Sequence, residues 1–331
     1  MEYQEGENDT TKKNRKYRKI TLDKFKTREI GIFIGFLFLI FIFSLLSSDF
    51  LSIGNTMDIA LQSSINAALA IGMTYVIITA GIDLSVGSSL ALSAYFAADL
   101  MAQGHGIVVG VLAGVIIGVI AGMVNGFIIS KLSLQPFIVT LGTMSIFRGA
   151  VLVYSDGEPV YEVSASFKKV FAGYIGFIPT PVIIVGVFAI IAYIVLHHTR
   201  FGRYIIAIGG NEEAAKLSGI SINKIKLGVY IIAGFASALG GLILVARLGA
   251  AEPTAGTMYE LDAIAAAVMG GASLMGGAGS IVGTVIGALI MGTLRNGLTL
   301  LNVSSFYQQV LIGVVIILAV YFDQINKKKK T

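Results

Sequence analysis

The stretch IVVGVLAGVIIGVIAGMVNGFII, residues 107 to 129, runs for 23 residues without a charged side chain. A helix needs about 20 predominantly apolar residues to cross the hydrocarbon core of a bilayer, so this segment reads as a membrane span. Gly114, Gly118 and Gly122 follow one another at a spacing of four and lead into Asn125-Gly126. Small residues at that spacing line one helix face and let a neighbouring helix approach closely.

The same ruler, moved outward in both directions, divides the chain into ten segments: 31–47, 56–80, 86–102, 107–129, 136–153, 177–196, 228–247, 261–275, 279–298 and 304–322. The third and eighth are short and suit a broken or re-entrant element lining a cavity. Composition agrees with a polytopic all-α membrane protein. Of 331 residues 55% are hydrophobic and 13% charged, against about 25% charged in soluble domains. An ordinary water-soluble enzyme is excluded. With no cysteine in the chain, disulfides, thiolate metal sites and cysteine nucleophiles are excluded as well.

The net charge of +5 is not spread over a nucleic-acid-binding face. Nine basic residues lie within residues 1–30 and four form the run Lys327 to Lys330, while residues 31–326 carry 11 basic and 13 acidic side chains. Lys and Arg in short loops favour the cytoplasm, which places the basic amino-terminal segment inside. Ten spans then return the carboxyl terminus to the same side. On this topology the inner loops and termini hold nineteen basic residues and the outer loops two, Lys168 and Lys169. The charged start is too long for a signal peptide and no A-x-A pattern follows it, so the first span is expected to be retained.

The ninth segment repeats the pattern of the fourth: Gly283, Gly287 and Gly292 precede Asn296-Gly297. The two segments run in opposite directions in the assigned topology, as an inverted repeat requires. Chance recurrence in a glycine-rich bundle explains the pattern equally well.

No G-x-x-x-x-G-K-[ST] loop and no H-E-x-x-H occur, and His105, His197 and His198 are not spaced for a metal cage. Ion-coupled carriers place ionisable groups near the bilayer midplane. Here Asp58, Asp83, Asp99, Arg148, Asp262 and Arg295 lie towards span ends. That distribution suits a neutral, polyhydroxylated solute, recognised by amides and hydroxyls. Candidate polar groups on or beside spans two, four and nine are Asn66, Asp83, Ser85, Asn125 and Asn296. Two local explanations compete with solute contact: Asp83 or Ser85 capping the next helix, and amide bridges between spans at the asparagines.

Between the sixth and seventh segments, Asn211 is a candidate N-cap, Glu212 and Glu213 favour the positive end of a helix dipole, and Gly219 is a terminator. A helix of about two turns is predicted there, too short to stand alone. It either lies on its own protein's inner face or fits a groove on a cytoplasmic partner.

Four stretches together carry a family resemblance: GIDLSVGSSLALSA at 81–94, QPFIVTLGTMSIFRG at 135–149, GRYIIAIGGNEEAAKLSGI at 202–220, and PTAGTMYELDAIAAAVMGGASLMGGAGSIVGTVIGALIMG at 253–292. The chain resembles permease subunits of bacterial sugar ABC transporters of the ribose/xylose/arabinose/galactoside branch, most of all the ribose permeases. The resemblance runs from about residue 50 to the end. It implies a type II importer-like fold of ten transmembrane helices in two inverted halves over 31–322, a basic cytoplasmic segment at 1–30 and a basic cytoplasmic tail at 323–331, all in the bacterial cell membrane. It further implies three protein partners: a cytoplasmic ATPase that binds ATP and Mg, an extracytoplasmic sugar-binding protein, and a second permease subunit forming a homodimer. The chain itself would hold no cofactor or metal and catalyse no reaction. By the same resemblance 197–227 is the coupling loop, with Gly202 and Arg203 leading into Glu212, Glu213, Ala214, Ala215 and Gly219. A permease for nucleosides or branched-chain amino acids, and a stand-alone secondary carrier, are the alternatives.

Overall fold

The computed structural model describes residues 29–161 and 163–328. The basic segment 1–30, except for its last two residues, and the last three residues of the tail 323–331 lie outside the described residues. In chain order the described elements are α1 (Glu29–Leu46), α2 (Ile53–Ile78), α3 (Val86–Ala102), α4 (Ile107–Lys131), α5 (Pro136–Ser155), α6 (Ala165–Ala172), β1 (Tyr174–Ile175), β2 (Ile178–Pro179), α7 (Thr180–His198), α8 (Arg200–Gly210), α9 (Glu212–Leu217), α10 (Ile222–Leu248), α11 (Tyr259–Met269), α12 (Ile281–Leu300) and α13 (Ser305–Lys328).

Seven of them, α1, α2, α4, α5, α7, α10 and α12, are long and apolar enough to cross a membrane. Helix α3 has 17 residues, and the apolar part of α13 is Ser305–Leu318. The eighth segment, predicted at 261–275, is helical only over Tyr259–Met269. Its chain turns out of the helix at Gly271 (φ +101°) and again at Gly276 (φ +81°) and Gly277 (φ +74°), conformations that cost a side-chain-bearing residue roughly 1–2 kcal/mol each. The sixth, predicted from 177, begins at Thr180, because Ile175 and Ile178 pair across the left-handed Gly176 in a β1–β2 hairpin. The stretch 197–227, expected to hold one short helix, holds α8, α9 and the first turn of α10.

The decisive stretch is arranged inside out. Gly110, Gly114, Gly118, Gly122, Asn125 and Gly126 of α4 are buried, while Leu112, Ile116, Ile120 and Phe127 are exposed. A helix in water hides its large apolar residues, so this exposed apolar face belongs against lipid. The buried face lies on α3 at Gly110 and Gly114, against Ala97, and on α10 beyond them: a Cβ at Gly118 would stand 2.5 Å from Gly234 O, and one at Gly122 would collide with Tyr230 O. Helices α2 and α10 form the centre, with most of their residues buried, whereas α1 is almost wholly exposed and sits at the periphery.

Two sets of contacts define the ends of the bundle. Beside α9, Gly277 N donates to Ile78 O (2.8 Å) and Gly209 packs against both residues, joining α2, α8 and the turn before α12. At the opposite end Arg148 of α5 donates to Pro253 O (2.6 Å) and Ala255 O (2.8 Å), and Val160 and Ala251 exchange backbone bonds. The loops that follow α5 and α10 are thereby stitched together.

Candidate translocation and coupling sites

The sequence IDLS at 82–85 breaks the path between α2 and α3. Asp83 Oδ1 accepts from Ser85 N (2.9 Å) and from Ser85 Oγ (2.6 Å), an Asx-turn in the connection between α2 and α3. The expected cap is therefore corrected. Asp83 bonds the N-cap residue itself, and Ser85, although at the N-cap position of α3, makes no side-chain cap bond. Its hydroxyl accepts instead from Asn125 Nδ2 of α4 (2.7 Å), and Asn125 Oδ1 accepts from Thr143 Oγ1 of α5 (2.6 Å). Asp83, Ser85, Asn125 and Thr143 are all buried, so in this conformation the network ties three helices together away from solvent. Three predicted residues meet here. Thr143 was missed, although Thr140 and Thr143 put two hydroxyls on one face of α5, and Thr140 donates to Ile82 O (3.1 Å).

Asn66 and Asn296 lie elsewhere, along the seam between α2 and α12. Asn296 Nδ2 donates to Asn55 Oδ1 (2.7 Å), joining the far end of α12 to the first turn of α2. Asn66 lines a cavity of about 40 Å³ with Gln62, Ile65, Arg247, Tyr259, Asp262, Gly292 and Arg295. In its wall Arg295 Nη2 donates to the largely buried Asp262 Oδ2 at 2.7 Å. The sequence shows both charges at span ends but not their pairing, because 33 residues separate them. The five candidates thus form two groups, one near the α9 end and one towards the other end. Among the described residues no cluster of His, Asp and Glu could hold a metal ion.

The third arrangement is the surface around α9. Asn211 Oδ1 accepts from Ala214 N (2.9 Å), capping the helix as its sequence predicts, and Gly219 (φ +82°) follows its end. Ala215 is buried against Ile208 and Ile222, which pins the short helix to α8 and α10. Glu212, Glu213 and Ala214 point outward, and Leu217 is 90% exposed. Lys226 Nζ pairs with Glu212 (2.8 Å). Arg203 is exposed on α8, whereas Gly202 is buried, where a Cβ would collide with Leu196 O and where Thr199 Oγ1 accepts its N–H (3.2 Å). Helix α8 escaped the sequence reading, although its buried Gly202, Ile205 and Ile208 recur at helical spacing.

Residues 55–320 match the family described as branched-chain amino acid transport system / permease component. The chain is 51% identical over 301 residues to the ribose import permease protein of Escherichia coli (strain K12), an alignment covering 89% of this chain and 93% of that one. Identity to the ribose import permease protein of Bacillus subtilis (strain 168) is 50% over 299 residues, covering 90% and 93%. The D-allose transport system permease protein of Escherichia coli (strain K12) is 43% identical over 300 residues, covering 90% and 92%. No solved structure matches. With seven helices able to span a bilayer, a lipid-type outer surface and a family match over most of its length, this chain belongs to the transport-system permease family and is a multi-pass membrane subunit of a transporter, not an enzyme.

Proposed function

We propose that the chain is the membrane permease of an ATP-driven importer of a ribose-type monosaccharide. The observation that carries this reading is the half-identity, over nine tenths of the chain, to proteins named as ribose import permeases. A branched-chain amino acid substrate is the second reading, favoured by the family's description. The buried walls weigh against it, since amides, hydroxyls and a neutralised ion pair suit a neutral polyol.

The membrane arrangement we infer has ten spans in two inverted halves, both termini cytoplasmic, in the cell membrane of a bacterium. Helices α3 and α13 and the broken α11 supply the spans beyond the seven long ones. The close-packed glycine faces of α4 and α12 support the two-half reading. Partners are a cytoplasmic ATPase holding ATP and Mg, a sugar-binding protein outside, and a second copy of this chain.

Coupling runs through α9. Its exposed acidic first turn and Leu217 form a knob for the ATPase, and Ala215 and Gly209 connect the knob to α8, α10 and the end of α2. ATP-driven movement of the knob tilts those helices, so the pathway opens alternately to each side. Asp83, Ser85 and Asn125 tie α3, α4 and α5 at the inner end of that pathway, and Asn66 and Asn296 line its outer part.

The test is reconstitution with the ATPase and binding protein in vesicles. ATP-dependent ribose accumulation is expected, and accumulation without an ATPase refutes the reading. In the Glu212→Lys/Glu213→Lys variant, Lys226 faces a like charge and the favourable dipole contact is reversed. Membrane insertion is expected to persist while uptake is abolished; unchanged uptake excludes α9 as the coupling element.

A further inference from the structure

Among the described residues seven buried side-chain polar atoms have no hydrogen-bond partner, and five of them, Ser63 Oγ, Asn66 Oδ1, Thr293 Oγ1, Arg295 Nε and Asn296 Oδ1, lie on α2 and α12. Buried polar atoms are nearly always satisfied, so five along one seam are unusual, and the two that face a common cavity, Asn66 Oδ1 and Arg295 Nε, mark a place able to receive hydrogen-bonding groups from outside the chain. Asn66 and Arg295 also line the 40 Å³ cavity. That volume holds one water or one hydroxyl group, not a whole sugar ring. Arg247, exposed near the end of α10, also lines the cavity.

The donor and acceptor set is specific. Arg295 Nε–H offers a donor and Asn66 Oδ1 an acceptor, while Gln62 offers both kinds. Asp262 and Arg295 already neutralise each other at 2.7 Å. An ion docked directly on Asp262 or Arg295 would have to break that pair. An alcohol oxygen donates one bond and accepts others without disturbing it, and charge-assisted bonds to such an oxygen are the strong ones.

We propose that the cavity between α2, α10, α11 and α12 is a hydroxyl-binding subsite of the permease, which takes one hydroxyl of the carried polyol as the seam opens. This inference rests on the sugar reading above. It adds Gln62, Asp262 and Arg295 to the pathway, as residues that select for the hydroxyl.

The experiment uses the complete importer in vesicles, with uptake of D-ribose and of its monodeoxy analogues measured beside ATP hydrolysis, the binding protein being saturated with each sugar in turn. For the unmodified chain one deoxy analogue is expected to enter about tenfold more slowly than ribose, the cost of a buried polar group left unpaired. In Asn66→Ala and Arg295→Lys, ribose uptake per ATP hydrolysed should fall to about the rate of that analogue, bringing the ratio near one. Ile120→Ala, on the lipid-type face of α4, should leave the ratio unchanged. If the seam variants slow every sugar equally, the cavity holds water or serves packing, and the subsite is refuted while the sugar reading stands. Competition by leucine but by no sugar overturns both.

Discussion

Asn125 uses both ends of its amide, donating to Ser85 Oγ and accepting from Thr143 Oγ1. A buried polar group left unsatisfied costs about 1–3 kcal/mol, more than the same bond contributes when made. Asn125→Ala leaves the Thr143 hydroxyl only its longer bond to Thr140 O (3.3 Å) and removes a donor from the Asp83–Ser85 pair, so the purified chain should lose about 1–2 kcal/mol of stability. Thermal inactivation in detergent measures this, and an unchanged midpoint would show that the network does not hold α3, α4 and α5 together. The carboxyl and the amide could be identified as candidates from residue type. Their joint use with Thr143 could not, since nothing local to 81–88 or to 125 points to α5.

At the scale of elements, glycine spacing is the most legible feature. The Gly114, Gly118, Gly122 series of α4 was expected to mark a close helix contact; Gly118 and Gly122 lie on the backbone of α10 at Gly234 and Tyr230, while Gly114 lies on Ser93 and Ala97 of α3. Gly122→Val should push α4 and α10 apart and remove most folded protein from the membrane. Gly35→Val, on an α1 face where a Cβ meets nothing within 4 Å, should be tolerated. Size-exclusion chromatography of both variants in detergent tests this; equal monodisperse yields would contradict the packing role. The matching series of α12 faces Gly270, Ala266, Ser63 and Phe43 instead, on three different helices and a turn. Elements that were harder to read had weak local signals. Helix α6 has eight residues and the hairpin two per strand, lengths at which periodicity carries little information. The end of α11 was misjudged because the apolar run continues past Met269, while the left-handed turns at Gly271 and Gly276 interrupt the backbone.

For the whole molecule, the absence of cysteine makes the topology directly measurable. Phe177, 76% exposed at the hairpin, and Leu217, 90% exposed on α9, belong to opposite ends of the bundle. A Phe177→Cys chain should be labelled by an impermeant thiol reagent added to intact cells, and a Leu217→Cys chain only after the membrane is opened. Labelling of both from one side would overturn the assigned orientation.

The amino-acid sequence alone determined the solvent this protein folds in, the all-helical class and the positions of most long helices, because apolar length and small-residue spacing are properties of single segments. It also placed the cap and stop of α9, which are set by neighbours three residues apart. Only the tertiary structure decided that Asp83, Ser85 and Asn125 share a network with Thr143 while Asn66 lies apart beside the Asp262–Arg295 pair. The physical reason is that a helix period orients a side chain around its own axis but does not choose its partner. In a bundle where many faces are small and apolar, that choice depends on how all the helices pack at once.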